Sequence, residues 1–337
     1  LAQLLFMVSQ HLGQGIVVAI FRREIMKTYL KLAAAIALAT AMLAAPPALA
    51  QPRKITIGLA VSNLDADFFN QIKQSVEANG NKKGIKIITV DAKGDTTIQQ
   101  NQINELLAQK IDALIYIPAG AAAAGVPVRA AKAAGIPVVA VDRNAPDAPG
   151  DTFIATDSVS AARALGEYVV KTTEGKGAIA IIQGQLGTTP ELDRDKGFNE
   201  AIANAPDIKV VAKQDSKAWH QDEGFTIAQA MLKRDPGITV FFGRADALAL
   251  GAARAVKTAA LDHKVLIVGF DGDITGLKAV KSGVLAATMT QQTQLMGRMS
   301  LDAALDLIAG KKLPAVQLQP AALTTKENVD RYLAEHP

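Results

Sequence analysis

Residues 54–69 read KITIGLAVSNLDADFF. An apolar, β-branched run gives way to a polar stretch, which ends on two adjacent phenylalanines. Strand, loop and start of a helix follow one another in that order, and the same succession recurs downstream. IKIITVDA (85–92), IDALIYIPA (111–119) and IPVVAVD (136–142) are further apolar runs, with helical patterns at 68–82 and 96–109 between them. Gly84 and Gly135 close helices before the next strand. Continuous apolar strands separated by helices predict a parallel sheet covered on both faces. The pattern then restarts with AIAIIQG (178–184), IKVVAKQ (208–214), ITVFFG (238–243), KVLIVGFDG (264–272) and LAATMTQ (285–291), with helices such as 191–204 and 245–258. The chain therefore reads as two α/β units in tandem, with TFIATD (152–157) as the first crossing. A helix at 293–309 and the tail PAVQLQPAALTT (314–325) are too short for a third domain and are expected to pack on one or both units. The Ala-rich segment 119–135 reads as helical filler.

Length and composition agree with that division. A chain of 337 residues with 49% hydrophobic and 20% charged residues suits two globular domains of ordinary size. Of the net charge of +4, residues 1–50 carry +3 (Arg22, Arg23, Lys27 and Lys31 against Glu24), which leaves +1 for the rest. No polyanion-binding surface, and so no nucleic-acid partner, is expected from that balance. The absence of cysteine excludes disulfides, thiolate catalysis and Cys-ligated metals. With only His11, His220, His263 and His336 and no HExxH, a histidine-built metal site is not expected. Residues 26–50, MKTYLKLAAAIALATAMLAAPPALA, have a basic start, a short apolar run and an Ala48-Leu49-Ala50 ending. That is the order of a cleaved secretory signal, giving a mature start at Gln51; residues 1–25 read as an over-extended start.

In open α/β sheets ligands sit beyond the carboxyl ends of the strands. Those ends carry Ser62 with Phe68 and Phe69, then Asp142-Arg143, then the segment reaching Arg194, then Trp219, Phe270-Asp271 and Gln291. Neighbouring positions on a helix diverge, so Phe69 is the phenylalanine expected to face a ligand. Aromatic planes bury the C–H faces of a sugar, while carboxylates, guanidinium groups and amides pair with its hydroxyls. Two acids (Asp142, Asp271) and two bases (Arg143, Arg194) nearly cancel, which favours a neutral polyhydroxylated ligand over a phosphate or carboxylate. A turn role for Asp271-Gly272 and a local ion pair at Asp142-Arg143 are the plainer alternatives.

VSNLDADFF (61–69), VVAVDRNAP (138–146), RDKGF (194–198), ADALALGAARA (245–255), LIVGFDG (266–272) and LAATMTQ (285–291) resemble the ribose-binding protein family over residues 54–318. These are periplasmic sugar-binding components of ABC importers, and repressors of the lac-repressor type share their core. The resemblance implies the type I periplasmic binding protein fold: two Rossmann-like lobes, each a mostly parallel sheet flanked by helices, joined by a three-segment hinge. The lobes would be 54–156 plus about 292–320, and 157–291 plus about 321–337. It implies Phe68 and Phe69 as one stacking wall and Trp219 as the other. Asp142 and Arg143 would bind adjacent hydroxyls, Arg194, Asp271 and Gln291 would close the rim, and Ser62 and Phe270 would stand nearby. Ala66 and Ala245 depart from the pattern, since ribose binders place asparagines there; Arg244 is a candidate to fill the space. The expected ligand is thus a pentose-like monosaccharide or a polyol rather than ribose in particular.

The expected partners are that ligand and an inner-membrane ABC permease, with a chemoreceptor or sensor kinase as the alternative recipient, and the expected state is a periplasmic monomer. No cofactor is expected. A repressor would need a helix-turn-helix before the first lobe, where a signal peptide stands instead. An enzyme is not expected: G-x-G-x-x-G after the first strand, G-x-x-x-x-G-K-[ST] and G-x-S-x-G are all absent, and nothing else supports Asp142 and Asp271 as a glycosidase pair.

Overall fold

The computed structural model describes residues 14–43 and 54–335; the expected cleavage site at 48–50, the mature start at Gln51 and His336 lie outside the described residues. Gln14–Leu43 is one helix, α1, in a unit of its own. Among the described residues no helix is long and apolar enough to cross a membrane.

From Lys54 onward strands and helices alternate. The first run is β1 (Thr56–Val61), α2 (Asp67–Lys82), β2 (Lys86–Asp91), α3 (Thr96–Ala108), β3 (Ala113–Tyr116), α4 (Gly125–Ala133), β4 (Val138–Val141) and β5 (Thr152–Thr156). The second is α5 (Ser158–Thr172), β6 (Lys176–Gln183), α6 (Thr189–Ile202), β7 (Asp207–Asp215), α7 (Gln221–Arg234), β8 (Val240–Gly243), α8 (Asp246–Ala259), β9 (Leu266–Val268), α9 (Ile274–Ser282) and β10 (Ala287–Thr290). Then come α10 (Thr293–Ile308), β11 (Val316–Gln319), β12 (Ala322–Thr325) and α11 (Val329–Glu335).

Two six-stranded sheets result, in the orders β11-β5-β4-β3-β1-β2 and β12-β10-β9-β8-β6-β7. All neighbours run parallel except β10 and β12, which are antiparallel. Strand order reverses between β1 and β3 in one lobe and between β6 and β8 in the other. Side-chain alternation accounts for the two covered faces. Ile57, Leu59 and Val61 of β1 pack with Ile72 and Met296 on one side, while Ala60 packs with Ile103, Leu106 and Val128 on the other.

Three differences from expectation bear on the site. TFIATD is the fifth strand of the first sheet, and the chain leaves that sheet only at Asp157. The strand expected at 264–272 stops at Val268, because the segment after it is bent by the buried carboxylate of Asp246. That carboxylate accepts from the N–H groups of Gly272 (2.8 Å) and Asp273 (3.2 Å) and from Thr288 Oγ1 (2.6 Å). The Ala-rich segment is helical only from Gly125, with Pro127 in the first turn, where a missing N–H costs least. The tail serves both lobes: β11 extends the first sheet and β12 the second. The chain thus crosses between sheets near Asp157, at Gln291-Gln292 and at Pro320-Ala321.

Candidate functional site

The carboxyl ends of both sheets meet around a cavity of about 250 Å³. The first lobe lines it with Asp65, Ala66, Asp67, Phe68, Phe69, Asp142 and Arg143. The second supplies Pro190, Arg194, Trp219, Ala245, Ala247, Asp271, Asp273 and Thr275. The lobes are drawn together over it by direct bonds. Asn63 Nδ2 lies 3.4 Å from His220 Nε2, Ile274 N–H donates to Asp67 Oδ2 (3.4 Å), and Asn144 N–H donates to Thr189 Oγ1 (3.1 Å).

In the first lobe, Arg143 closes the gap where strand order reverses. Its Nη1 donates to Ser62 Oγ (3.3 Å) and to the carbonyls of Pro118 (3.1 Å) and Ala119 (3.4 Å). Its guanidinium lies 5.2 Å from the centroid of Phe69 and 5.7 Å from that of Trp219. Phe68 and Phe69 meet edge to face at 5.2 Å, and both line the cavity while packing into the core behind α2. In the second lobe, Arg194 Nη2 pairs with Asp271 Oδ1 (3.2 Å), its Nη1 donates to the Arg244 carbonyl, and the group rests 3.8 Å from the centroid of Phe270. The six-membered edge of Trp219 lies directly over Gly184, where a Cβ would fall 1.8 Å from Cη2. Only glycine permits that approach.

Burial governs the charges. It raises Asp142 above the ordinary carboxylate range, against the opposing pull of Arg143 and Arg194. It pushes Asp271 up to about 7, with Arg194 opposing and Asp273 and Asp142 adding to the rise. Burial likewise lowers Arg143. Asp142 (φ 60°), Trp219 (φ 63°) and Asp271 (φ 126°) are three of the seven non-glycine residues with positive φ among the described residues. Such conformations cost of order 1–3 kcal/mol each. All three line the cavity, while the other four, Lys93, Lys110, Glu174 and Ala260, lie away from it.

Of the ten residues expected at the site, seven line the cavity: Phe68, Phe69, Asp142, Arg143, Arg194, Trp219 and Asp271. Ser62, Phe270 and Gln291 stand one layer behind. Ser62 accepts from Arg143, Phe270 underlies Arg194, and Gln291 donates to Asp271 Oδ1 (2.8 Å) while accepting from Thr156 Oγ1 (2.6 Å). Arg244 does not fill the space beside Ala245. It is fully buried, turned to Asp195 and Glu191, because those carboxylates compensate a cation that the apolar interior would otherwise exclude. The expected balance of two acids and two bases is also incomplete, since Asp65, Asp67 and Asp273 bring the lining to five carboxyl groups against two guanidinium groups. Asp67 accepts from Gln71 Nε2 (2.8 Å) and Asp273 caps α9 at Gly276 N–H (2.8 Å), which spends part of that excess on structure. In the sequence these three look like loop and cap residues, so nothing there separates them from ordinary polar turns.

A sequence description of the periplasmic binding protein domain matches residues 57–312, about three quarters of the chain. The chain belongs to the periplasmic binding protein family. The periplasmic binding protein described here is 34% identical over 297 residues to the ribose import binding protein RbsB of Bacillus subtilis, with 86% of this chain and 95% of the relative covered. It is 34% identical over 279 residues to the xylitol-binding protein of Mycolicibacterium smegmatis, covering 81% and 78%. The solved structure of an ABC transporter solute binding protein from Bacillus halodurans with bound myo-inositol superposes with a TM-score of 0.79 at 26% identity, covering 85% of this chain and 100% of that one.

Proposed function

We propose that the protein is the extracytoplasmic solute-binding component of an ABC importer, holding a small neutral sugar or polyol between its lobes and delivering it to an inner-membrane permease. A convergence carries this reading: Asp142 and Arg143 from the first lobe, Arg194 and Asp271 from the second, and the rings of Phe69 and Trp219 all line one cavity. Guanidinium groups donate and carboxylates accept, which suits hydroxyl groups, since each hydroxyl does both. Phe69 and Trp219 offer planes for C–H faces. An anion would meet five carboxyl groups, which disfavours phosphates and carboxylates.

Phe68, Phe69, Asp142, Arg143, Arg194, Trp219 and Asp271 are read as ligand contacts, with Ser62, Phe270 and Gln291 as supports. Asp142 and Asp271 each already face a guanidinium, and both are read as binding groups without turnover. The lobes are taken as 54–156 with about 292–320, and 157–291 with about 321–337, moving about the three crossings as a monomer that reaches the periplasm through a cleaved leader. Relatives named for ribose and xylitol, and a structural neighbour holding myo-inositol, support the ligand class. A thermal-shift screen with pentoses, hexoses, alditols and cyclitols tests it. A ligand at 100 times its Kd stabilises by about 2.7 kcal/mol, which is readily seen. A protein whose melting temperature none of them raises is not a sugar or polyol binder.

A further inference from the structure

We infer that Glu191 and Arg244, neither of which touches the cavity, are the positioning pair that sets its second-lobe wall; the inference rests on the ligand class proposed above. Both are fully buried, with Arg244 Nε 3.8 Å from Glu191 Oε1. Each holds one half of the wall. Glu191 Oε2 accepts from Gly184 N–H (2.7 Å), and its Oε1 accepts from Gln183 Nε2 (2.8 Å). Gly184 is the floor on which Trp219 lies. The main-chain carbonyl of Arg244 accepts from Arg194 Nη1, and its side chain rests 4.7 Å from the centroid of Phe242.

The pair sits where strand order reverses between β6 and β8, at Gly184 on one side and Arg244 on the other. That is the place Arg143 occupies in the first lobe, but with a different outcome. Arg143 closes its gap with its own guanidinium and meets the cavity directly. In the second lobe a buried ion pair closes the gap, and Arg194 and Trp219 are presented from it. Among the described residues Arg244 Nε and Nη1 have no hydrogen-bond partner, and its charge is compensated there by Glu191 and Asp195. Neutralising Glu191 therefore loosens both halves at once: the Gly184 turn beneath the indole and the carbonyl that aims Arg194.

The protein has one tryptophan, so Trp219 reports on this wall without a label. Glu191→Gln leaves Arg244 under-compensated and is at risk of misfolding. The paired exchange Glu191→Gln/Arg244→Met removes both charges together and keeps the fold testable by circular dichroism. Arg163→Gln/Glu200→Gln, an exposed ion pair on α5 and α6, serves as control. For the paired exchange, Trp219 emission and acrylamide quenching are expected to change in the unliganded protein. Affinity for whichever of D-ribose, xylitol and myo-inositol binds the unaltered protein is expected to fall about tenfold, with the control unchanged. A folded paired variant with unaltered Trp219 emission, or with unaltered affinity, overturns the inference. If the unaltered protein binds none of the three, affinity is read with the best ligand of the thermal-shift screen; if that screen yields none, the ligand class falls, and the emission measurement still decides whether the pair sets the wall.

Discussion

Gly184→Ala places one methyl group under the indole that forms half of the proposed ligand wall. The new carbon would fall 1.8, 2.0 and 2.2 Å from three ring atoms of Trp219, where ordinary contact begins at 3.4 Å. The ring must therefore move by about 1.6 Å off the Gly184 floor, which misplaces the plane it offers to a ligand. Trp219 cannot absorb this by backbone adjustment at no cost, since it already stands at φ 63°. A displaced indole is expected to weaken stacking on a sugar face by about 1–2 kcal/mol, a loss of roughly 5- to 30-fold in affinity. Isothermal titration with the best ligand from the thermal-shift screen measures the loss, and Trp219 emission confirms that the ring has moved. Gly184→Ala binding with native affinity would refute the placement of the indole against the ligand.

Arg194→Gln removes the partner of Asp271 at 3.2 Å and the donor to the Arg244 carbonyl; affinity is expected to drop about 100-fold while circular dichroism stays native. Asp271 titrates at about 7 in the folded protein against about 3.9 in an unfolded chain. Because the folded value is the raised one, its contribution to stability is full below about pH 4 and is lost as pH rises through about 7. The melting temperature of the unliganded protein is therefore expected to fall between pH 5 and pH 8, and Asp271→Asn to flatten that fall, as a thermal-denaturation series would read. Asn63→Ala deletes the bond to His220 across the cleft; affinity is expected to fall about two- to fivefold, with a larger radius of gyration for the unliganded protein by small-angle scattering. An unchanged radius would show that this contact does not hold the lobes together.

Much of the fold is written in short-range patterns. Apolar runs such as KITIGLAV and IPVVAVD declare buried parallel strands because both faces are covered, and the glycines before them mark where helices stop. The rule that ligands gather beyond strand ends then draws attention to Phe69, Asp142, Arg143, Arg194, Trp219 and Asp271, which come from five separated segments and line one cavity. What escapes is the layer behind. Glu191 in GTTPELDR looks like an acid in a helix first turn, and Asp246 like a residue just past a cap. Their roles depend on partners 53 and 26 positions away (Arg244 and Gly272), which no local pattern encodes. Arg244 was legible as a nearby cation but not in its direction, since only the packed positions of Glu191 and Asp195 decide which way it turns.

The tail strands set an order on the folding of the chain. Sheet one ends on β11, which pairs with β5 some 160 residues upstream, and sheet two ends on β12. Until residues 316–325 are in place, β5 and β10 each present an unpaired edge. Neither lobe can therefore complete its sheet before the tail docks, however early its other strands assemble. Because the β11–β5 pairing joins segments about 160 residues apart, it is the slower of the two to close, whereas β12 returns to the nearby β10.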